Sequence, residues 1–208
     1  MQANGWLYRR IRAPRSGIVR VQLGPGQEHY LPGWINVDAN MFTAKCDLWF
    51  DLRASLPFID GTVDAFYSHH VIEHLPDLES HFRHVHRCLK PGGVYRVGGP
   101  NIDSAIQKFA AGDAAWFSDF PDRRGSIGGR LDNFVMCRGE HTHLLTISFL
   151  TELLTNAGFD TVVKCLPGRE TRYSKWFSDC LVREDESDWD FPHTLMVEAS
   201  KSCSPGLA

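Results

Sequence analysis

Two glycines, two strand-ending aspartates and a histidine-rich turn are the residues from which this chain could build a small-molecule site. Val21-Gln22-Leu23-Gly24-Pro25-Gly26 reads as a strand entering a glycine turn, and Trp34-Ile35-Asn36-Val37-Asp38 as a second strand ending in a carboxylate. In an open parallel sheet that order sets a close-approach backbone loop beside an acceptor for ribose hydroxyls. The spacing also excludes ligands. A dinucleotide fingerprint wants a third glycine three positions after the second and an acid about 20 residues on. Here His29 holds the third position, and Asp38 follows Gly24 by only fourteen residues with Pro32-Gly33 between them. Any helix after the turn must be very short, which removes the amides and dipole that hold a pyrophosphate. A nucleoside without phosphate suits the loop better.

Further along, Asp47-Leu48-Trp49-Phe50-Asp51-Leu52 ends a third strand in another acid, and Ser68-His69-His70-Val71-Ile72-Glu73-His74 leaves a fourth. His70 and His74 at i and i+4 could ligate a metal on a helix. The order His70-Val71-Ile72-Glu73-His74 does not match the zinc-protease His-Glu-x-x-His, so no metal is expected and a metal-dependent hydrolase ranks last among the readings. His81, His84 and His86 fall mainly outside the apolar stripe of the following helix and read as a solvated face.

The elements that must position these residues alternate. Strand signals at residues 18–23, 34–37, 46–50, 63–68 and 94–97 are followed in several cases by helical ones, which implies βαβ units and a mostly parallel sheet. Leu78, Phe82, Val85 and Leu89 form the buried stripe of a helix over 77–89, capped by Asp77 and stopped by Lys90-Pro91-Gly92-Gly93. Leu150, Leu153, Leu154 and Ala157 do the same over 148–157, before two late strands at 161–165 and 194–199. Residues 112–140 show no periodicity, and so read as a lid over the substrate or as disorder.

With these motifs the chain resembles the class I S-adenosylmethionine-dependent methyltransferases. Within them it is similar to small methyltransferases of the type 11-like group that carry a Gly-Trp-Ile-Asn-Val-Asp second strand, here residues 33–38. The resemblance covers roughly residues 18–165 and, more weakly, the C-terminus. It implies an α/β, Rossmann-like doubly wound sheet, mostly parallel with an antiparallel last strand, and S-adenosylmethionine as cofactor. Gly24, Gly26 and Asp38 would then face the methionine and ribose parts. Asp51 and Leu52 would frame the adenine, the alternative being that Asp51 caps the turn toward Leu56-Pro57-Phe58. The fourth strand would face the transferable methyl, with His69 at the cofactor and His70 orienting the nucleophile. The Glu140-His141-Thr142-His143 run would lie on the substrate side, where His141 or His143 could take a proton from a hydroxyl, or merely cap a helix. Asn101 and Asp103 would meet substrate or cap the next helix.

A length of 208 residues with 43% hydrophobic content suits a single domain, 1–208, with a basic N-terminal arm over 1–17. A net charge of −3 gives no global field toward nucleic acid, and the local arginines of the arm read as solvated. Six cysteines without a Cys-x-x-Cys pair, no apolar run of membrane-spanning length and no signal-type N-terminus together suggest a cytoplasmic protein with reduced thiols. Methyl transfer from a sulfonium needs alignment more than a catalytic constellation. The expected function is therefore methylation of a small-molecule or sugar-like acceptor. A methyltransferase-like module that binds without turnover is the alternative.

Overall fold

The computed structural model describes residues 1–203; the last five residues of the expected domain lie outside the described residues. Seven strands form one sheet: β1 Arg20–Leu23, β2 Ile35–Asp38, β3 Leu48–Trp49, β4 Val63–His69, β5 Leu89–Pro100, β6 Thr161–Cys165 and β7 Thr194–Ser200. Their order is β3-β2-β1-β4-β5-β7-β6, and β7 runs antiparallel to both of its neighbours. The remaining pairs are parallel. The expected sheet, antiparallel final hairpin included, is thus present.

Period-two alternation divides the sheet between two unlike faces. Val21, Leu23, Val37, Phe66, Tyr95, Val97, Leu195 and Val197 lie on one face, in the main core. Helices α2 (Leu78–Cys88) and α5 (Ile147–Asn156) cover it. Phe82, Val85, Leu150 and Leu154 are fully buried there, each contributing about 1.5–3 kcal/mol by leaving water. Asp77 caps α2 by accepting from Ser80 N at 2.9 Å, and Thr146 caps α5 through Phe149 N at 3.3 Å. His81 does not join a solvated face. It is buried against Phe82, near the Tyr95 hydroxyl, and burial lowers its pKa to about 4.

The opposite face has no crossing helix between β1 and β4, because the chain passes through turns at 24–34, 39–47 and 50–62. Its cover comes from elsewhere, namely Leu31, Trp34 and the long β6–β7 connection with helix α6 (Ser174–Phe177). Trp34 stacks on Phe177 at 6.2 Å and meets Tyr67 edge-on at 6.3 Å. Under that connection Arg96 is buried and holds Glu184 at 2.6 and 2.5 Å and Glu198 at 2.6 Å. Burial opposes its charge, but the two carboxylates outweigh burial and raise its pKa. The acidic run at 184–186 is therefore structural, since Glu184 pairs with Arg96 and Glu186 with His193.

Lys90-Pro91-Gly92-Gly93 forms the irregular start of β5. Partner register jumps there from Val63↔Leu89 to Ala65↔Val94, and Gly92 adopts φ +75°. Residues 112–140 are ordered as a 3-10 turn at Ala114–Trp116 and a helix, α4, at Ile127–Met136, with α3 (Ile102–Ala110) preceding them. Periodicity missed α4 because Gly128 and Gly129 weaken it. It is held by the Ser126 cap and by packing of Ile127, Leu131 and Phe134 on Trp116 and Phe117.

Candidate functional site

Strand order reverses between β1 and β4, so a crevice opens at their carboxyl ends, where doubly wound sheets bind ligands. A cleft of about 360 Å³ lies there, lined by Gly24, Gly26, Asp38, Ala39, Asp51, Leu52, Arg53, His70, Val71, His74 and Leu75. Five of the six residues expected to hold the cofactor, Gly24, Gly26, Asp38, Asp51 and Leu52, therefore meet in one wall. Gly24 sits at φ +69°, and a Cβ there would lie 2.4 Å from Val71 Cγ2, so glycine alone fits both the turn and its neighbour. Asp38 Oδ2 accepts from Gly26 N at 3.1 Å and Oδ1 from Asn40 N at 2.8 Å. The carboxylate thus closes the glycine turn while one edge still faces the cleft. Both oxygens of Asp51 accept from the Arg53 guanidinium, and this pairing holds the carboxyl pKa below its ordinary value. Arg53 N also donates to Asp51, so Asp51 shapes its local turn and lines the cleft at once.

His69 is not brought to that cleft. Strand alternation places it on the Tyr67 side of β4, where the two rings stack at 6.5 Å, and burial together with the His70 charge lowers its pKa to about 3. His70, one residue on, leaves the strand at φ +55°, a left-handed conformation uncommon for a side-chain-bearing residue. Its Nδ1 donates to Glu73 Oε1 at 3.0 Å, and its Nε2 meets Thr194 Oγ1 at 3.1 Å.

A second cleft of about 310 Å³ adjoins the first. Among its walls are His70, Glu73, His74, Phe120, Phe134 and His141. His70 and His74 line both clefts, so they form the partition between them. The segment from Ser118 to His141 closes the far side, through Phe120, Asn133 and Phe134. Thr142 pins the histidine run to the partition. Its amide donates to Glu73 O at 2.7 Å and its hydroxyl to Leu75 O at 3.1 Å. His141 donates from Nδ1 to Val135 O at 3.0 Å, leaving its Nε2 lone pair free, and burial lowers its pKa. His143 lines neither cleft, its Nε2 being tied to Leu75 O at 2.9 Å.

Asn101 and Asp103 act as caps. Asn101 Oδ1 accepts from Ser104 N at 3.2 Å, and Asp103 Oδ2 from Ile147 N at 2.8 Å. Sequence reasoning missed Glu73 as the organiser of the partition, and also the apolar pair Phe120 and Phe134. Alternation along β4 was the one signal that could have separated His69 from His70.

Comparison with known proteins bears on the fold and on the family. A family model described as a methyltransferase domain matches residues 44–97, from just before β3 into β5. A Mycolicibacterium smegmatis protein described as "Probable S-adenosylmethionine-dependent methyltransferase" is 33% identical over 116 residues, which span 56% of this chain and 36% of that one. The match thus spans little more than a third of the relative's length. A crystal structure of an S-adenosylmethionine-dependent methyltransferase from Mesorhizobium loti superposes with a TM-score of 0.54 at 21% identity, covering 95% of this chain and 98% of that one. One from Archaeoglobus fulgidus gives 0.57 at 14% identity, covering 96% and 93%. At such identities the two structures bear on the fold, and the sequence matches carry the assignment further. Over residues 44–97 and over the 116-residue match, the chain is similar to S-adenosylmethionine-dependent methyltransferases, and its fold is theirs.

Proposed function

We propose that this protein transfers the methyl group of S-adenosylmethionine to a small-molecule or sugar-like acceptor. The observation that carries the reading is the partition, because two clefts at the switch point of the sheet share His70 and His74 and nothing thicker. Cofactor in the first cleft and acceptor in the second would bring sulfonium methyl and nucleophile together past the edge of the His70–His74 layer, where direct displacement needs them in line and about 3–3.5 Å apart. Gly24 and Gly26 admit the methionine part, the free edge of Asp38 accepts from ribose hydroxyls, and Asp51 with Leu52 borders the adenine. His70 orients the acceptor and would receive its proton on Nε2 in exchange for the Thr194 hydroxyl that now meets it at 3.1 Å. Its Nδ1–H is fixed on Glu73, so Nε2 carries the lone pair. His141, with Nε2 open to the second cleft, is the next group in reach, and His143 supports the partition from behind.

The apolar walls supplied by Phe120 and Phe134 and the modest size of the second cleft favour a small acceptor over a macromolecule. The missing helix after β1 favours, as a second reading, a module that binds the cofactor without turnover.

Calorimetric titration with S-adenosylmethionine and S-adenosylhomocysteine tests the proposal. Both are expected to bind, and Asp38→Ala should weaken binding by about 1.5–3 kcal/mol, roughly 10- to 150-fold. No binding by the wild type refutes the function. Undiminished binding by the variant refutes the residue assignment, and binding without methylation of a panel of hydroxyl and amine acceptors supports the second reading.

A further inference from the structure

The wall of the second cleft holds a cluster of three donors that alignment for methyl transfer does not by itself require. A ring nitrogen of His74, a ring nitrogen of His141 and a carboxylate oxygen of Glu73 all lie within 4.8 Å of one another. Although 67 residues separate the histidines in sequence, their rings meet edge to face at 5.0 Å. Each ring is held by a backbone carbonyl. His74 donates from Nδ1 to Glu140 O at 3.1 Å and His141 from Nδ1 to Val135 O at 3.0 Å. A carbonyl can only accept, so both protons sit on Nδ1 and both Nε2 atoms carry a lone pair. Backbone carbonyls play this part behind ligating histidines in metal sites.

Glu73 supplies the independent observation. Its side chain is 1% exposed, and Oε1 is occupied by His70, yet Oε2 is buried with no hydrogen-bond partner among the described residues. A buried carboxylate oxygen left without a donor is costly, and such groups are normally paired or bound to a metal. Gly99 keeps the space beside it clear, since a Cβ there would stand 3.0 Å from Oε2 and 2.6 Å from Leu145 Cδ1.

We infer that Glu73, His74 and His141 bind a divalent transition ion of the zinc type in the wall of the second cleft. Two imidazoles and one carboxylate form a three-ligand set that leaves a fourth tetrahedral position open. Ligands about 2.0–2.1 Å from the ion stand roughly 3.4 Å apart, so the three atoms close on it by moving inward less than about 1 Å each. The Thr142 clamp on Glu73 O and Leu75 O holds the two parent loops together before any ion arrives. The fourth position faces the cleft and would take an oxygen of the bound acceptor. This last role rests on the proposed function; the ion site does not.

Calorimetric titration of the chelator-treated full chain with zinc chloride tests the site, with far-ultraviolet circular dichroism to check that each variant folds. One ion per chain is expected, with affinity at least about tenfold weaker in His74→Gln and in His141→Gln and unchanged in His84→Gln, whose ring lies away on α2. Cobalt added to the wild type should give four-coordinate ligand-field bands without thiolate charge transfer, a readout that needs no variant. Absence of saturable zinc, equal affinity in the wild type and both variants, or a thiolate band would each overturn the site. S-adenosylmethionine titrated into the metal-free chain separates the two proposals. Zinc binding without cofactor binding leaves the ion site standing and removes the methyltransferase reading.

Discussion

Gly24→Ala perturbs the point where the glycine turn touches the partition, and the structure predicts both the size of the effect and its rescue. Gly24 holds φ +69°, a conformation that costs a side-chain-bearing residue about 1–2 kcal/mol. The new Cβ would also lie 2.4 Å from Cγ2 of Val71, a stiff β-branched neighbour, and overpacking of this kind costs about 1–3 kcal/mol. The single variant should therefore lose about 2–5 kcal/mol. Val71→Ala alone removes part-buried methyl surface worth about 1 kcal/mol. In the double variant the collision disappears while the backbone strain stays. Its loss should fall short of the summed single losses by about 1–3 kcal/mol, a coupling well outside ordinary additivity. Urea unfolding of the four proteins, compared at equal m, measures this. Additivity within about 0.5 kcal/mol would refute Val71 as the obstacle. Wild-type stability in Gly24→Ala would refute the left-handed turn itself.

Two further outcomes test the rest of the scaffold. Arg96→Met leaves Glu184 and Glu198 buried without their cation and should destabilise by about 3–5 kcal/mol in thermal unfolding, whereas a loss under about 1 kcal/mol would show that the network is not closed as described. The Glu186–His193 pair should give a stability maximum on the mildly acidic side. The Glu186 hydrogen bond raises the His193 pKa above 6.5, so that contribution is full below pH 6.5 and is lost as pH rises through the folded value. Although burial acts against it, Glu186 is held at about 2 by hydrogen bonds from His193 and backbone amides. Its contribution is present above 4.5 and is lost as pH falls toward 2. The Tm difference between wild type and His193→Gln should shrink from pH 6 to pH 9, and a constant difference would refute the pairing.

Much of the first cleft was legible because its signals are local. Gly24-Pro25-Gly26 and Asp38 are joined within a single strand-turn-strand unit, and a carboxylate at a strand end needs only strand direction to place it. The expected helices α2 and α5 were found from apolar spacing that no tertiary contact overrides. What stayed unread depends on contacts between segments far apart in sequence. His81 looked solvated because its burial comes from the Tyr95 region of β5. The burial of Glu184 could not be read locally because its partner Arg96 lies 88 residues earlier. Helix α4 escaped notice because packing outweighs its glycines.

The same division runs through the site. While the doubly wound order and the remaining edge residues were implied by the family resemblance, strand alternation and turn chemistry pointed by themselves to a mostly parallel sheet with Gly24, Gly26 and Asp38 at its carboxyl edge. They act through neighbours a few residues apart, so sequence order is enough. Only the tertiary structure decided what stands across the partition. Thr142 reaches Glu73 O over 69 residues, and that clamp brings His141 to His74, frees Glu73 Oε2 and sets Phe120 and Phe134 opposite them. No periodicity encodes such a meeting. It follows from how the segment between α3 and α5 packs over the sheet edge, and there the second cleft and its cluster of donors come into being.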